Sequence, residues 1–179
     1  MFFYDLGEPE CYLAAERVMA ALPVVPEWEP VLGAEFATPR PDRAAIEARA
    51  AEQGLQPVRW PRPWPPDTRT AMLVATFAKR GGRAVAFSLA AFRQAFAGGR
   101  DLGQESTVLI AAAACEMHPA AVLKGISMKS VTAALGGAGN RARTAGVAEL
   151  PAIQIAGEPL FSGADAVERA AAALAGART

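Results

Sequence analysis

The chain opens with an unbroken apolar run, Phe2-Phe3-Tyr4, and then changes period. Such an aromatic run suits a buried strand. Pro9 follows where a first helical residue belongs, and Cys11, Ala14, Ala15, Val18 and Leu22 recur at helical spacing. Tyr4 to Leu13 therefore predicts a strand end passing through a proline turn into a helix. Glu8 and Cys11 fall at that helix start, where the positive pole and unpaired N–H groups favour a thiolate or an anionic ligand. Pro23 to Pro26 interrupts the pattern. Trp28-Glu29-Pro30-Val31-Leu32 then predicts either a short second strand, its proline suited to a sheet edge, or a long loop. A strand, helix, strand opening is that of a parallel sheet.

The middle of the chain is patterned for helices. Asp42 to Gln53 is rich in helix formers, and Gly54 supplies a stop. In Val58 to Pro66, prolines alternate with Trp60, Arg62 and Trp64, which removes backbone donors and favours an extended, stiff path. Its tryptophans suit either a rigid connector capping the core or an aromatic wall of a ligand pocket. Further helices are predicted from Asp67 to Lys79, Arg83 to Ala97, Gln104 or Glu105 to Met117, and Pro119 to Gly125, with Gly81-Gly82 and Gly98-Gly99 as stops. Ser127 to Ala145 is helical in pattern but interrupted by Gly136-Gly137-Ala138-Gly139, which predicts a kink or a helix junction. That cluster lacks both the preceding strand and the spacing of a phosphate loop. Glu149 to Phe161 predicts strand, turn, strand. Ser162-x-x-Asp165 has the form of a capping box before a last helix from Val167 to Leu174.

Composition narrows the function classes. The 179 residues are 52% hydrophobic and 20% charged, which suits one compact unit with a real core. Lys plus Arg and Asp plus Glu balance at 18 each, so no basic field draws nucleic acid or anionic lipid. No run reaches the ~18 to 20 apolar residues of a membrane span. The chain enters a strand at once, without a basic leader, so a cytoplasmic location is expected. Cys11 and Cys115 form no local Cys-x-x-Cys, which predicts neither a zinc motif nor an intrachain redox pair. Cys115, in an alanine-rich apolar segment, is expected to be buried filler. His118, the single histidine, precedes Pro119 at a predicted helix end, where an imidazole serves the last carbonyls better than it serves catalysis.

The pattern Asp5-x-x-x-Pro9-x-Cys11-Tyr12-Leu13 resembles the start of DsbA-family thioredoxin-fold proteins, which carry Cys-Pro-x-Cys there. It also resembles 2-hydroxychromene-2-carboxylate isomerases and class kappa glutathione transferases, which carry Ser-Pro-x-Ser. This chain has Glu8-Pro9-Glu10-Cys11. Glu8 thus stands at the family's first, nucleophilic position and Cys11 at the second. Leu150-Pro151 matches the family's cis-proline loop, and Gly163-Ala164-Asp165 matches its final helix start. The resemblance implies an α/β thioredoxin-like fold with an inserted all-helical subdomain. The thioredoxin-like part would span residues 1–37 and 146–179, and the insertion residues 38–145. It also implies a cis Leu150–Pro151 bond and a homodimer.

The same resemblance sets the expected chemistry. Glu8 and Cys11 are the candidate catalytic residues. Leu150, Pro151 and Asp165 are where glutathione would bind, its backbone on the strand edge and its ammonium at the helix start. Tyr12, Trp60, Trp64 and Asp67 would line a pocket for a small-molecule or thiol-peptide substrate, with no metal. An ionised glutamate can neither attack as a thiolate nor stabilise one, so ordinary dithiol exchange is expected to be lost. Glu8 is then a helix cap or a general base. Three functions stay open: a thiol oxidoreductase relative with one cysteine, a glutathione-dependent isomerase or transferase, and a non-catalytic binding protein on the same fold.

Overall fold

A computed structural model describes residues 1–176. Strand β1 (Phe2–Tyr4) runs through the turn into helix α1 (Pro9–Ala21), and β2 (Trp28–Pro30) lies parallel to β1 with Phe2 opposite Trp28. Helices α2 (Arg43–Glu52), α3 (Arg69–Arg80), α4 (Ala84–Phe92), α5 (Glu105–Ala113), α6 (Pro119–Ile126) and α7 (Lys129–Thr144) follow. The chain then returns to the sheet as β3 (Ala152–Ile153) and β4 (Phe161–Ser162), and α8 (Ala166–Gly176) ends the described residues. The sheet order is β2-β1-β3-β4, with β3 antiparallel to both β1 and β4. This is the thioredoxin-like α/β architecture that the resemblance implies. Pro30 sits on edge strand β2, where a missing N–H breaks no inner ladder.

Aromatic packing explains the position of β1. Phe2, Phe3 and Tyr4 are fully buried, and Trp28 meets Phe2 and Tyr4 edge-on at 5.0 and 5.3 Å. The Tyr4 hydroxyl lies 2.6 Å from Ser88 Oγ, so the strand is tied to α4 and burial of this phenol is not left unsatisfied. On β2, Glu29 is buried but paired twice, with Lys79 Nζ at 2.7 Å and Arg141 at 3.0 Å, which fastens α3 and α7 to the sheet edge.

Several local expectations change. Helix α7 runs unbroken through Gly136-Gly137-Ala138-Gly139. Arg141 and Arg143 anchor it to Glu29 and Glu35, and the glycines introduce no kink. His118 serves the opposite helix end from the one expected: its Nδ1 accepts the Ala120 N–H and caps the start of α6. Ser162 belongs to β4, and Asp165 is the residue immediately before α8, so the capping box frame is displaced. Helix α3 begins at Arg69 rather than Asp67, and α5 ends at Ala113, short of Met117. The continuation of α4, Arg93 to Ala97, is a π-helical turn, with Gly98 N–H bonded to Arg93 O at 2.8 Å. Among the described residues, no helix is long and apolar enough to cross a membrane. Nor does any group of three or more His, Cys, Asp or Glu sit where it could hold a metal ion.

Candidate active site

The turn between β1 and α1 is held by one buried side chain. Asp5 Oδ1 accepts the Gly7 N–H at 2.7 Å, and Oδ2 accepts the Gly33 N–H at 2.7 Å and the Thr68 hydroxyl at 3.1 Å. Three segments distant in sequence are thereby gathered around the start of α1. Gly7 is required for closeness, since a Cβ there would meet Thr68 Cγ2 at 2.6 Å. Burial pushes the Asp5 carboxyl up despite its three donors.

Glu8 occupies the N-cap position of α1, yet its side chain caps nothing, so the cap role is not the one it takes. Among the described residues no hydrogen bond or ion pair holds its carboxyl, whereas the neighbouring Glu10 is turned away into an ion pair with Arg49. Glu8 is half-buried, and its pKa is pushed up to about 7, first by burial and then by the Asp5 and Glu10 carboxyls. It stands where two cavities meet. One, of about 470 Å³, is bounded by Gly33 to Phe36, Asp67 and Arg69. The other, of about 510 Å³, is bounded by Arg40, Arg43 and Trp64, and both share Gly7, Glu8, Thr38 and Pro65.

Cys11 points into the core and is fully buried. Burial pushes its thiol well above the usual range. The Glu8, Asp5 and Glu10 carboxyls add to this, against a lowering backbone hydrogen bond at Asp5. Cys115 is also a free, buried cysteine, on the turn after α5.

The other sequence candidates divide. Trp64 and Asp67 line the cavities at Glu8. Trp60 instead packs edge-on against Trp64 at 5.0 Å, lies under the Arg43 guanidinium at 4.6 Å and donates its N–H to Glu47. Tyr12 stacks on Phe96 and lines a separate groove with Glu16 and Arg93. Leu150 and Pro151 are buried, and the bond between them is cis. The Leu150 N–H is already engaged, donating to Thr38 Oγ1 at 3.2 Å, and Ala37 N–H donates to Ala148 O beside it. Asp165 is exposed and paired with Arg169 at 3.2 Å. Its loop touches the cis-proline through Gly163 N–H to Pro151 O at 2.9 Å.

Sequence reasoning passed over Asp5 as a site residue although it heads the resemblance pattern, and it passed over Thr38, Arg40 and Arg43 entirely. Thr38 and Arg40 lie in a proline-punctuated stretch with no periodicity to place them, and Arg43 opens α2, whose pattern placed the helix but not which of its residues reach a cavity.

Comparison with known proteins adds to this geometry. A family model described as a DSBA-like thioredoxin domain matches residues 39–175. No curated protein sequence matches the chain. Among solved structures, a 2-hydroxychromene-2-carboxylate isomerase aligns with a TM-score of 0.85 and 15% identity, covering 99% of this chain and 94% of the isomerase. A probable DsbA oxidoreductase from Streptomyces coelicolor aligns at 0.79 and 19% identity, with 99% and 88% covered. A protein described as a protein disulfide isomerase from Nitrosomonas europaea aligns at 0.70 and 15% identity, with 99% and 97% covered.

Proposed function

The chain belongs to the DSBA-like thioredoxin domain family, and from that premise we propose that it is a proton-transfer enzyme of the isomerase type, with the Glu8 carboxyl as its acid–base group. The observation that carries this is the state of Glu8: a carboxyl with no partner among the described residues, at the meeting of two cavities, with its pKa raised to about 7. A general base works best when its pKa lies near the working pH, because it is then both available and basic enough. Glu8 also replaces the residue that would attack a disulfide, and the remaining thiol, Cys11, is buried. Dithiol exchange is therefore not the activity proposed. Two reduced, unpaired cysteines suit a cytoplasmic setting, and homodimerisation belongs to the same proposal by analogy with the family.

The test has two parts. The Glu8 carboxyl should titrate near pH 7 by NMR or infrared spectroscopy. With 2-hydroxychromene-2-carboxylate as the first probe, kcat/KM should rise with pH through about 7 as Glu8 ionises, and Glu8→Gln should lower it roughly a hundred- to ten-thousandfold. A Glu8 that titrates near 4.5, or turnover indifferent to Glu8→Gln, would overturn the proposal.

A second function keeps glutathione as a ligand. It is favoured by the Leu150–Pro151 loop lying against the Gly163 to Asp165 helix start, where a backbone and an ammonium group would find partners. Glutathione would have to displace Thr38 from Leu150, and calorimetric titration reads that directly.

A further inference from the structure

Away from Glu8, the end of α3, Arg83 just before α4, the turn from Glu116 to His118 and helix α6 border an open cavity of about 420 Å³, within the size range of small-molecule sites. Its floor is apolar: Phe77 and Ala78 of α3, Val122 of α6, and Met117, with Ala78, Met117 and Val122 buried. Its rim is cationic. Among the described residues, the Arg80 guanidinium meets only neutral acceptors, Ser130 Oγ at 3.0 Å and Ser130 O at 2.7 Å. Arg83 donates to Cys115 O at 2.5 Å and reaches Glu116 only at 3.4 Å, and that carboxylate is 86% exposed, where solvent screens it. Neither positive charge is well neutralised. His118 Nδ1 accepts the Ala120 N–H, so the ring proton is on Nε2, available as a donor at the rim. Glu116 itself is held at φ 58°, a left-handed conformation unusual for a residue with a side chain, and the turn it makes shapes this wall.

We infer that this cavity binds an amphipathic monoanion: an apolar chain or ring seated on Phe77 and Val122, with one carboxylate at Arg80 and Arg83. The match of an apolar floor to a doubly basic rim selects this class. A fully apolar ligand leaves the guanidiniums unanswered, and a small polar anion leaves the floor empty.

Octanoate is a suitable probe, measured by calorimetry against acetate and 1-octanol. Octanoate should bind saturably with one equivalent per chain, and both controls should bind at least about tenfold more weakly. Arg83→Gln should weaken octanoate about tenfold, as loss of a charge-assisted hydrogen bond requires. Ala121→Trp, at an exposed position on the cavity wall, should abolish binding without disturbing the core. No octanoate binding, equal affinity for 1-octanol, or affinity indifferent to Ala121→Trp would each overturn the inference. So would self-association of the wild-type chain that Ala121→Trp abolishes, since a second copy would then be the occupant.

Discussion

Asp5 Oδ2 and the Gly33 N–H lie 2.7 Å apart, joining the end of β1 to a segment that begins after β2. Because the same carboxyl also takes Gly7 N–H and the Thr68 hydroxyl, its removal leaves two buried amides without acceptors. Asp5→Ala should therefore destabilise the protein by roughly 2 to 4 kcal/mol, read as a lower urea midpoint. Asp5→Asn should be milder, because its amide oxygen still serves one of the two N–H groups. It should also lower the Glu8 pKa, because it removes a carboxyl that raises it. An unchanged midpoint in Asp5→Ala would show that the three segments do not depend on this side chain.

Glu8 carries a stability signature that needs no substrate. Its folded pKa is raised to about 7 from the ordinary 4.5, so the folded state holds the proton more tightly than the unfolded chain does. The resulting contribution is full below about pH 4.5 and is lost as pH rises through about 7. Glu8→Gln removes the ionisation. The variant should gain on the wild type between pH 5 and pH 8 by roughly 1 to 2 kcal/mol, after allowance for solvent at this half-buried site. Urea unfolding at the two pH values checks this, and parallel behaviour of the two proteins would contradict it.

The elements at the two ends were legible because each had a local signal strong enough to survive folding. Phe2-Phe3-Tyr4 had no polar position to expose, and Pro9 with the Cys11 to Leu22 period could hardly begin a helix elsewhere. Where local and tertiary signals disagreed, the tertiary ones prevailed. The glycines at 136, 137 and 139 argue against a helix by propensity, but α7 is pinned by Arg141–Glu29 and Arg143–Glu35, both formed with residues more than a hundred positions away. His118 was expected to serve carbonyls at a helix end and instead accepts an N–H at a helix start, because Pro119 can both stop one helix and start the next. Glu8 and Cys11 could be placed at a helix start from spacing alone. Their burial, and hence their protonation, depended on Asp5, Gly33 and Thr68 converging, which no spacing encodes.

Thr38 guards the backbone that a thiol peptide would use. Its hydroxyl occupies the Leu150 N–H, so glutathione docking there must displace it and should bind wild-type protein saturably but weakly in calorimetry at millimolar ligand. Thr38→Val keeps the shape and frees that part-buried N–H, at a stability loss of roughly 1 kcal/mol for a donor left without its partner. Glutathione affinity should rise in the variant. Tight binding by the wild type, unchanged in Thr38→Val, would mean that the peptide backbone docks elsewhere.

Exchange chemistry offers the sharpest contrast between the first and second positions of the motif. A thioredoxin-fold dithiol needs one exposed thiolate to attack and a second, often shielded, cysteine to release the mixed disulfide. Here only the shielded partner exists: Cys11 is fully buried, its thiol pushed well above the usual range. Wild-type protein should accordingly fail to catalyse insulin reduction. Glu8→Cys would place a sulfur at the half-buried N-cap, beside the positive helix end and two cavities, and would remove a carboxyl that raises the Cys11 pKa. That variant should gain measurable insulin reductase activity, and Glu8→Ser should not. Activity in the wild type that Cys11→Ala abolishes would instead make Cys11 reachable and a single-thiol mechanism necessary.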